Sequence, residues 1–279
     1  MNVLIITDLE GVSGIIDWDK HEPGTPLDQW QRALMTGEVN AAVAAAFDAG
    51  AQRVKIVEGH NAIDIRQLDP RATLVPAWYP AAPPLQGWDE GFDALLAIGK
   101  HAMSGTPDGV LAHTGNKTVD YVEINGIRVG ESGQEAAEAG DFGFPMVMIS
   151  GDAAACREME ELLGDIETAV VKKGYDEHHC ECLAPEAAHD RIRRAVIRAL
   201  KRLDTFRPFV IPGPIRYVQR VKKPYGEEYL DTIRRHPHAE VIDEHTIAFH
   251  GVNVVEAFAR RCGLAYTWSP EPGTRKLHS

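Results

Sequence analysis

Three apolar runs in this chain are too short for helices, and each ends on a side chain that binds metals. Val3-Leu4-Ile5-Ile6 leads into Asp8 and Glu10, Val54-Lys55-Ile56-Val57 into His60, and Leu95-Leu96-Ala97-Ile98 into His101. Near-continuous apolar runs of this length suit strands covered on both faces. If they lie parallel in one sheet, all four side chains emerge along its carboxyl edge. That is the edge where α/β proteins build their sites.

The rest of the pattern supports such a sheet. An Ala-rich stretch with Val39, Val43 and Phe47 at four-residue spacing predicts a helix over 36–49, stopped by Gly50. Strands are expected over 2–7, 53–58, 94–99, 145–150 and 167–172, and helices over 131–139 and 153–163. Asn125-Gly126 between Tyr121–Ile124 and Ile127–Val129 predicts a tight hairpin. Residues 76–91, with Trp78, Tyr79 and Trp88, read as a surface loop, and the Gly-rich 102–120 as a mobile one. The fold class is therefore α/β, a mostly parallel sheet covered by helices.

Composition changes near residue 175. An amphipathic helix over 185–203 (Ile192, Val196, Ala199, Leu200, Leu203) precedes a strand over 209–221 interrupted by Pro212 and Pro214, a helix over 227–235, a strand over 240–249 and a helix over 254–262. The expected division is a catalytic α/β domain over 1–175, a smaller α+β domain over 183–268 and a loose tail over 269–279.

Bulk properties narrow the function classes. The 279 residues are 44% hydrophobic with a formal charge of −12. No long Lys/Arg cluster is present, so nucleic acid is not an expected partner. No run reaches the roughly 18–20 apolar residues of a membrane span, and the start lacks a signal-peptide pattern. Four cysteines (Cys156, Cys180, Cys182 and Cys262) are too few for a disulfide scaffold, so a cytoplasmic location is expected.

Asp8 and Glu10 are two apart, so in extended chain they point the same way and can share a cation. A lone D-x-E is usually an exposed acidic turn, and a lone His after a strand is usually structural. Here two carboxylates and two imidazoles face one edge, a set suited to Zn²⁺, with Mn²⁺ or Fe²⁺ as competitors. Glu131, after the hairpin, is a further candidate, although a helix N-terminus favours an acid there in any case. His178-His179-Cys180-Glu181-Cys182 has neither zinc-finger nor C-x-x-C spacing and is not expected to hold metal. No phosphate-binding P-loop, dinucleotide fingerprint or serine-nucleophile elbow is present.

These residues stand in longer motifs. Thr7-Asp8-Leu9-Glu10-Gly11-Val12-Ser13-Gly14, Glu58-Gly59-His60-Asn61, Gly99-Lys100-His101-Ala102, Gly109-Val110-Leu111-Ala112-His113 and Asn125 to Gly133 together resemble the zinc-dependent D-aminopeptidases of bacterial dipeptide-transport operons. The resemblance is strongest over residues 1–172. It implies two zinc ions on Asp8, Glu10, His60, His101 and Glu131, with Asp8 shared, Glu10 and His60 on one ion and His101 and Glu131 on the other. It makes His113 catalytic, as nucleophile or as general acid/base. The His101–His113 spacing is one residue longer than the family's, with Asp108 as the insertion.

The expected activity is hydrolysis of the N-terminal amide bond of short peptides or aminoacyl amides, including D-configured ones, by water that two metals activate. The family also implies a homo-oligomer, a ring-like decamer. The rivals are a metal-dependent amidase for another metabolite, a phosphoesterase (with only Lys100 and Lys117 as nearby cations), and a peptide-binding protein without catalysis.

Overall fold

The computed structural model describes residues 1–17, 24–76, 85, 87–267 and 276–278, with backbone alone from 265 onward. In chain order the elements begin with β1 (Asn2–Thr7), α1 (Pro26–Asp48), β2 (Arg53–Glu58), β3 (Thr73–Val75), β4 (Ala94–Lys100), β5 (Val119–Ile124) and β6 (Ile127–Arg128). Next come α2 (Glu131–Phe142), β7 (Met146–Asp152), α3 (Ala153–Leu163), β8 (Glu167–Gly174), β9 (Cys180–Cys182) and α4 (Pro185–Lys201). The last are β10 (Ile215–Val221), α5 (Glu227–Arg235), β11 (Ala239–Asp243), β12 (Thr246–Gly251), α6 (Val254–Arg261), β13 (Ala265–Thr267) and β14 (Lys276–His278).

The larger sheet runs β3-β2-β1-β4-β7-β8-β9. Its neighbours are parallel except β8 and β9. Strand alternation divides β1 between two cores. Val3 and Ile5 face α1 and α4 with Val39, Val43, Ile192 and Val196. Leu4 faces the opposite side with Ala136, Ala139 and Met159. The chain steps outward from β1 to β3, then returns to place β4 on the other side of β1. The resulting switch point lies between the carboxyl ends of β1 and β4.

The smaller sheet, β11-β12-β10-β5-β6, is antiparallel. The hairpin turn is made by Asn125 (φ 48°) and Gly126 (φ 87°), as Asn-Gly predicts. This hairpin pairs with β10, and Val122 and Ile124 pack with Ile215 and Tyr217. Helix α4 packs on α1, β7 and β8 of the larger sheet. The layers therefore do not follow the expected break at 175–183. An apolar stripe goes where it can be covered, and that of α4 is covered by the first sheet.

Several local expectations need correction. Helix α1 starts at Pro26 rather than 36, because Thr25 caps it by accepting from the Asp28 amide. Its first turns leave Leu27 and Trp30 exposed, which hid the periodicity. The expected strand over 240–249 is a hairpin: Asp243 Oδ1 accepts from the His245 amide at 2.7 Å and turns the chain. Regular pairing of β10 begins only at Ile215, after two prolines that lack an N–H.

Trp88 is not on the surface. It is buried beside Phe142 and Phe144. Trp78 and Tyr79 lie outside the described residues. Most of the expected tail also lies outside them, but Lys276–His278 pairs with β13 as a strand. The 102–120 segment is packed rather than loose: Val110 and Leu111 are fully buried, and the Val110 amide donates to Asp152 at 2.8 Å. No helix among the described residues is long and apolar enough to cross a membrane.

Glu38 on α1 has a pH-dependent role in this core. It is buried, accepts from the Ser13 amide at 2.9 Å, and burial pushes its carboxyl up to about 7, against that hydrogen bond and Lys172. The folded protein thus holds a proton that the unfolded chain releases above pH 4.5. Stability from this group is full below that value and is lost as pH rises toward 7. Glu38→Gln should therefore gain on the parent between pH 5 and pH 8, by on the order of 3 kcal/mol, read as melting-temperature differences. A gap that does not move with pH would mean that Glu38 is ionised throughout.

Candidate metal centre

Backbone contact brings the ends of β1 and β4 together. The Asp8 amide donates to Ile98 O at 2.8 Å, and the Gly11 amide to Gly99 O at 2.8 Å. A Cβ on Gly11 would stand 2.0 Å from Lys100 O, and one on Gly99 (φ 76°) 2.1 Å from Asp8 O. Only glycine allows both approaches. At the end of β2, a Cβ on Gly59 would stand 2.5 Å from Thr7 O. The buried Glu58 carboxylate accepts the Ile63 amide and closes the turn that carries His60.

The side chains meet in two groups. His60 Nε2 is 2.9 Å from Asp8 Oδ1 and 2.9 Å from Glu10 Oε2. His101 Nε2 is 3.3 Å from Asp8 Oδ2 and 3.5 Å from Glu131 Oε1. His113 Nε2 is 3.6 Å from the same Glu131 oxygen, and its ring stacks on His101 with centroids 3.9 Å apart. Asp8-Glu10-His60 and His101-His113-Glu131 each have the closeness of a metal-binding group. Asp8 turns one oxygen toward each.

Three features fit these groups to cations. Glu10 Oε2 and His101 Nε2 are buried without a hydrogen-bond partner, despite acid–imidazole separations of 2.9 and 3.3 Å. They converge on shared space rather than on each other. His101 Nδ1 lies 2.9 Å from Ala102 O, and His113 Nδ1 lies 2.9 Å from Leu111 O. A carbonyl only accepts, so each Nδ1 carries a proton and each Nε2 faces the site, where His101 can offer a lone pair once a cation takes the place of its second proton.

The third feature is charge. Burial works against an imidazolium at His60, but Asp8 and Glu10 outweigh it and raise the pKa to about 10. Burial likewise opposes a charged His101, yet Asp8 and Glu131 hold its pKa well above the usual value. The cluster therefore attracts positive charge. Burial raises the carboxyls of Asp8 and Glu131, but Lys100 and His101 more than offset it, leaving Asp8 well below the carboxylate range and Glu131 at about 2. His113 behaves oppositely: burial and the neighbouring His101 lower its pKa, which favours the neutral ring.

Sequence reasoning named Lys100 only as a nearby cation and missed Glu135 and Glu158. Lys100 is 2% exposed, and its Nζ sits 2.6 Å from Glu135 Oε1 and 3.4 Å from Asp8 Oδ2. Its signal was a lysine between a glycine and a ligand at the end of an apolar strand. Glu135 follows Glu131 by one helical turn, and burial raises its pKa to about 7 against Lys100. Glu158 braces the site by accepting the Met103 amide at 2.9 Å and the Gly130 amide at 3.2 Å. Asp108, the expected insertion, is tied to Arg157 at 2.9 Å. In the His178–Cys182 tract, His179 pairs with Asp176 at 2.9 Å, and Cys180 and Cys182 lie 3.6 Å apart.

Comparison with known proteins shows the family. A family model described as D-aminopeptidase matches residues 1–261. The chain belongs to the D-aminopeptidase family. It is 32% identical over 263 residues to a D-aminopeptidase of Bacillus subtilis (strain 168), covering 92% of this chain and 94% of that protein. A solved structure described as the Zn-dependent D-aminopeptidase DppA from Bacillus subtilis, a self-compartmentalizing protease, superposes with a TM-score of 0.84 at 27% identity, covering 94% of this chain and 96% of that one.

The family match includes the smaller sheet, which walls a cleft beside Glu131. Gln134, Glu135 and Glu138 of α2 line one side, with Tyr217, Phe258 and Arg261 among the residues opposite, around about 450 Å³ of open space. Tyr217 donates to Gln134 Oε1 at 2.6 Å and ties the two walls together.

The glycine contacts give a test of the platform. Gly99→Ala forces a Cβ against Asp8 O in a left-handed conformation, so it should destabilise by roughly 3 kcal/mol or more. Urea unfolding that matches the parent would show that the ends of β1 and β4 can separate without cost.

Proposed function

We propose that the protein is a two-zinc aminopeptidase that removes the N-terminal residue of short peptides or aminoacyl amides, D-configured residues included. Asp8, Glu10, His60, His101 and Glu131 hold the metals, with Asp8 shared. The observation that carries this reading is the pair of acid–imidazole groups meeting on the two oxygens of Asp8. Zinc held there supplies Lewis acidity for activating water and polarising the scissile carbonyl.

The chain's own groups do the rest. His113 keeps its Nδ1 proton on Leu111 O and offers Nε2 to the site. It serves as the base that takes a proton during attack and returns it to the leaving amine. The stacked His101 and the surrounding burial favour its neutral form, the one a base requires. Lys100 orients Asp8 from behind, and Glu135 occupies its charge. Lys100 is therefore not open to a phosphate, which weighs against a phosphoesterase.

The same reading includes a homo-oligomer, a ring-like decamer, in the cytoplasm. The related structure is described as self-compartmentalizing. Ile16, Leu27, Trp30 and Ile65 are 45–68% exposed here, the kind of apolar surface that an interface covers.

Hydrolysis of L- and D-aminoacyl dipeptides and amides, with metal content measured alongside, tests the function. Zinc-loaded protein should cleave them, carry about two ions per subunit and leave phosphomonoesters intact. A metal-free, folded protein that binds dipeptides without cleaving them would sink the reading. Glu10→Ala or His60→Ala should remove about one ion and keep the fold. His113→Ala should retain both metals and lose roughly 10²–10⁴-fold in kcat. Loss of metal from that last variant would instead make His113 a ligand.

A further inference from the structure

The cleft beside Glu131 contains a guanidinium that makes no ion pair among the described residues. Arg261, the last residue of α6, donates from Nε to Gln219 Oε1 at 3.0 Å, and its Nη1 lies 3.9 Å from Cys262 Sγ. Among the described residues, no carboxylate oxygen comes within 4.0 Å of it. Glu138, across the cleft, forms no ion pair with it; burial, with Glu135 and Asp141 nearby, raises that carboxyl well above its usual value, against the pull of Lys100 and Arg261. A partly buried cation without an anion is unfavourable unless something else supplies one.

We propose that Arg261 receives the C-terminal carboxylate of the substrate and so matches the site to dipeptides. This inference rests on the aminopeptidase reading. Nη2 of Arg261 stands 3.4 Å from where a Cβ on Gly115 would be, and the Gly115 amide donates to Glu131 Oε1 at 2.6 Å. The guanidinium and the metal-facing carboxylate thus flank a single glycine. A leaving group of one amino acid advances the chain by about 3.8 Å and ends in a carboxylate, the group that Arg261 lacks. A longer leaving segment would put a neutral peptide group there instead. The forked donors of arginine suit a carboxylate, and Val122, Tyr217 and Phe258 give the leaving residue's side chain an apolar wall.

The test compares one dipeptide with the same dipeptide amidated at its C-terminus, on zinc-loaded protein. The free acid should be preferred by about 10- to 100-fold in kcat/KM, mainly through KM, as expected for a charge-assisted contact. In Arg261→Gln that ratio should fall toward one. A parent ratio near one overturns the inference, and this holds even if the variant fails to fold. So does a folded variant that keeps the preference. If neither substrate is cleaved, the aminopeptidase reading fails, and binding decides the carboxylate site separately. A free amino acid should then raise the parent's melting temperature more than its amide does, and equal shifts would overturn the site.

Discussion

The carbonyl of Lys100 is enclosed by glycines, and the metal-facing cluster depends on that contact. Cβ atoms on Gly11 and Gly151 would each stand 2.0 Å from Lys100 O. The chain after β1 and the end of β7 therefore close on β4 from both sides. This closeness places Asp8 against His101, although 92 residues separate the Asp8 carboxylate from the Lys100 ammonium that steadies it. A methyl group at any of these positions would part the strand ends, and the side chains above them would no longer converge.

Electrostatics explains why the platform carries a lysine as well as ligands. Asp8, Glu10, Glu131 and Glu135 crowd four acids into a mostly buried volume, a repulsive set in a low dielectric. Lys100 offsets the repulsion from below through Glu135 and the outer oxygen of Asp8. It cannot reach the Glu10–His60 side, where demand for positive charge raises the histidine's pKa to about 10. The arrangement separates a fixed internal cation, which sets geometry, from the exchangeable positive charge that the open side attracts.

What the sequence made legible follows from how local each signal is. Strands β1, β2 and β4 advertise themselves by apolar runs, and the parallel-sheet rule then places Asp8, Glu10, His60 and His101 on one edge without any knowledge of packing. Asn125-Gly126 and the helix after it are equally local. Lys100 was harder to see because its partner Glu135 lies in another element, and pairing across elements leaves no periodicity. The same holds for α4. Its apolar stripe showed that it would be covered but not by which layer, so a division near 175 looked natural. The early start of α1 was hidden because Leu27 and Trp30 face outward there. Trp88 was hidden by its Pro- and Gly-rich neighbours, although Phe142 and Phe144 enclose it.

Helix α2 joins these observations. Its first residue reaches the candidate metal cluster, Ala136 and Ala139 pack beneath the parallel sheet, and Ala137 packs in the core of the smaller one. A Cβ on Gly140 would meet Phe209 O at 1.9 Å, so the helix is hemmed in along its length by residues small enough to admit both layers. Glu131, Glu135 and Glu138, at positions i, i+4 and i+7, lie along one face and line the cleft. The helix that completes the metal side is thus also a wall of the space a substrate would enter. Residues facing it from the smaller sheet and α6 can change what that space accepts without disturbing the strand ends. In this fold the sheet edge carries the candidate ligands, and the second layer lines the space beside them.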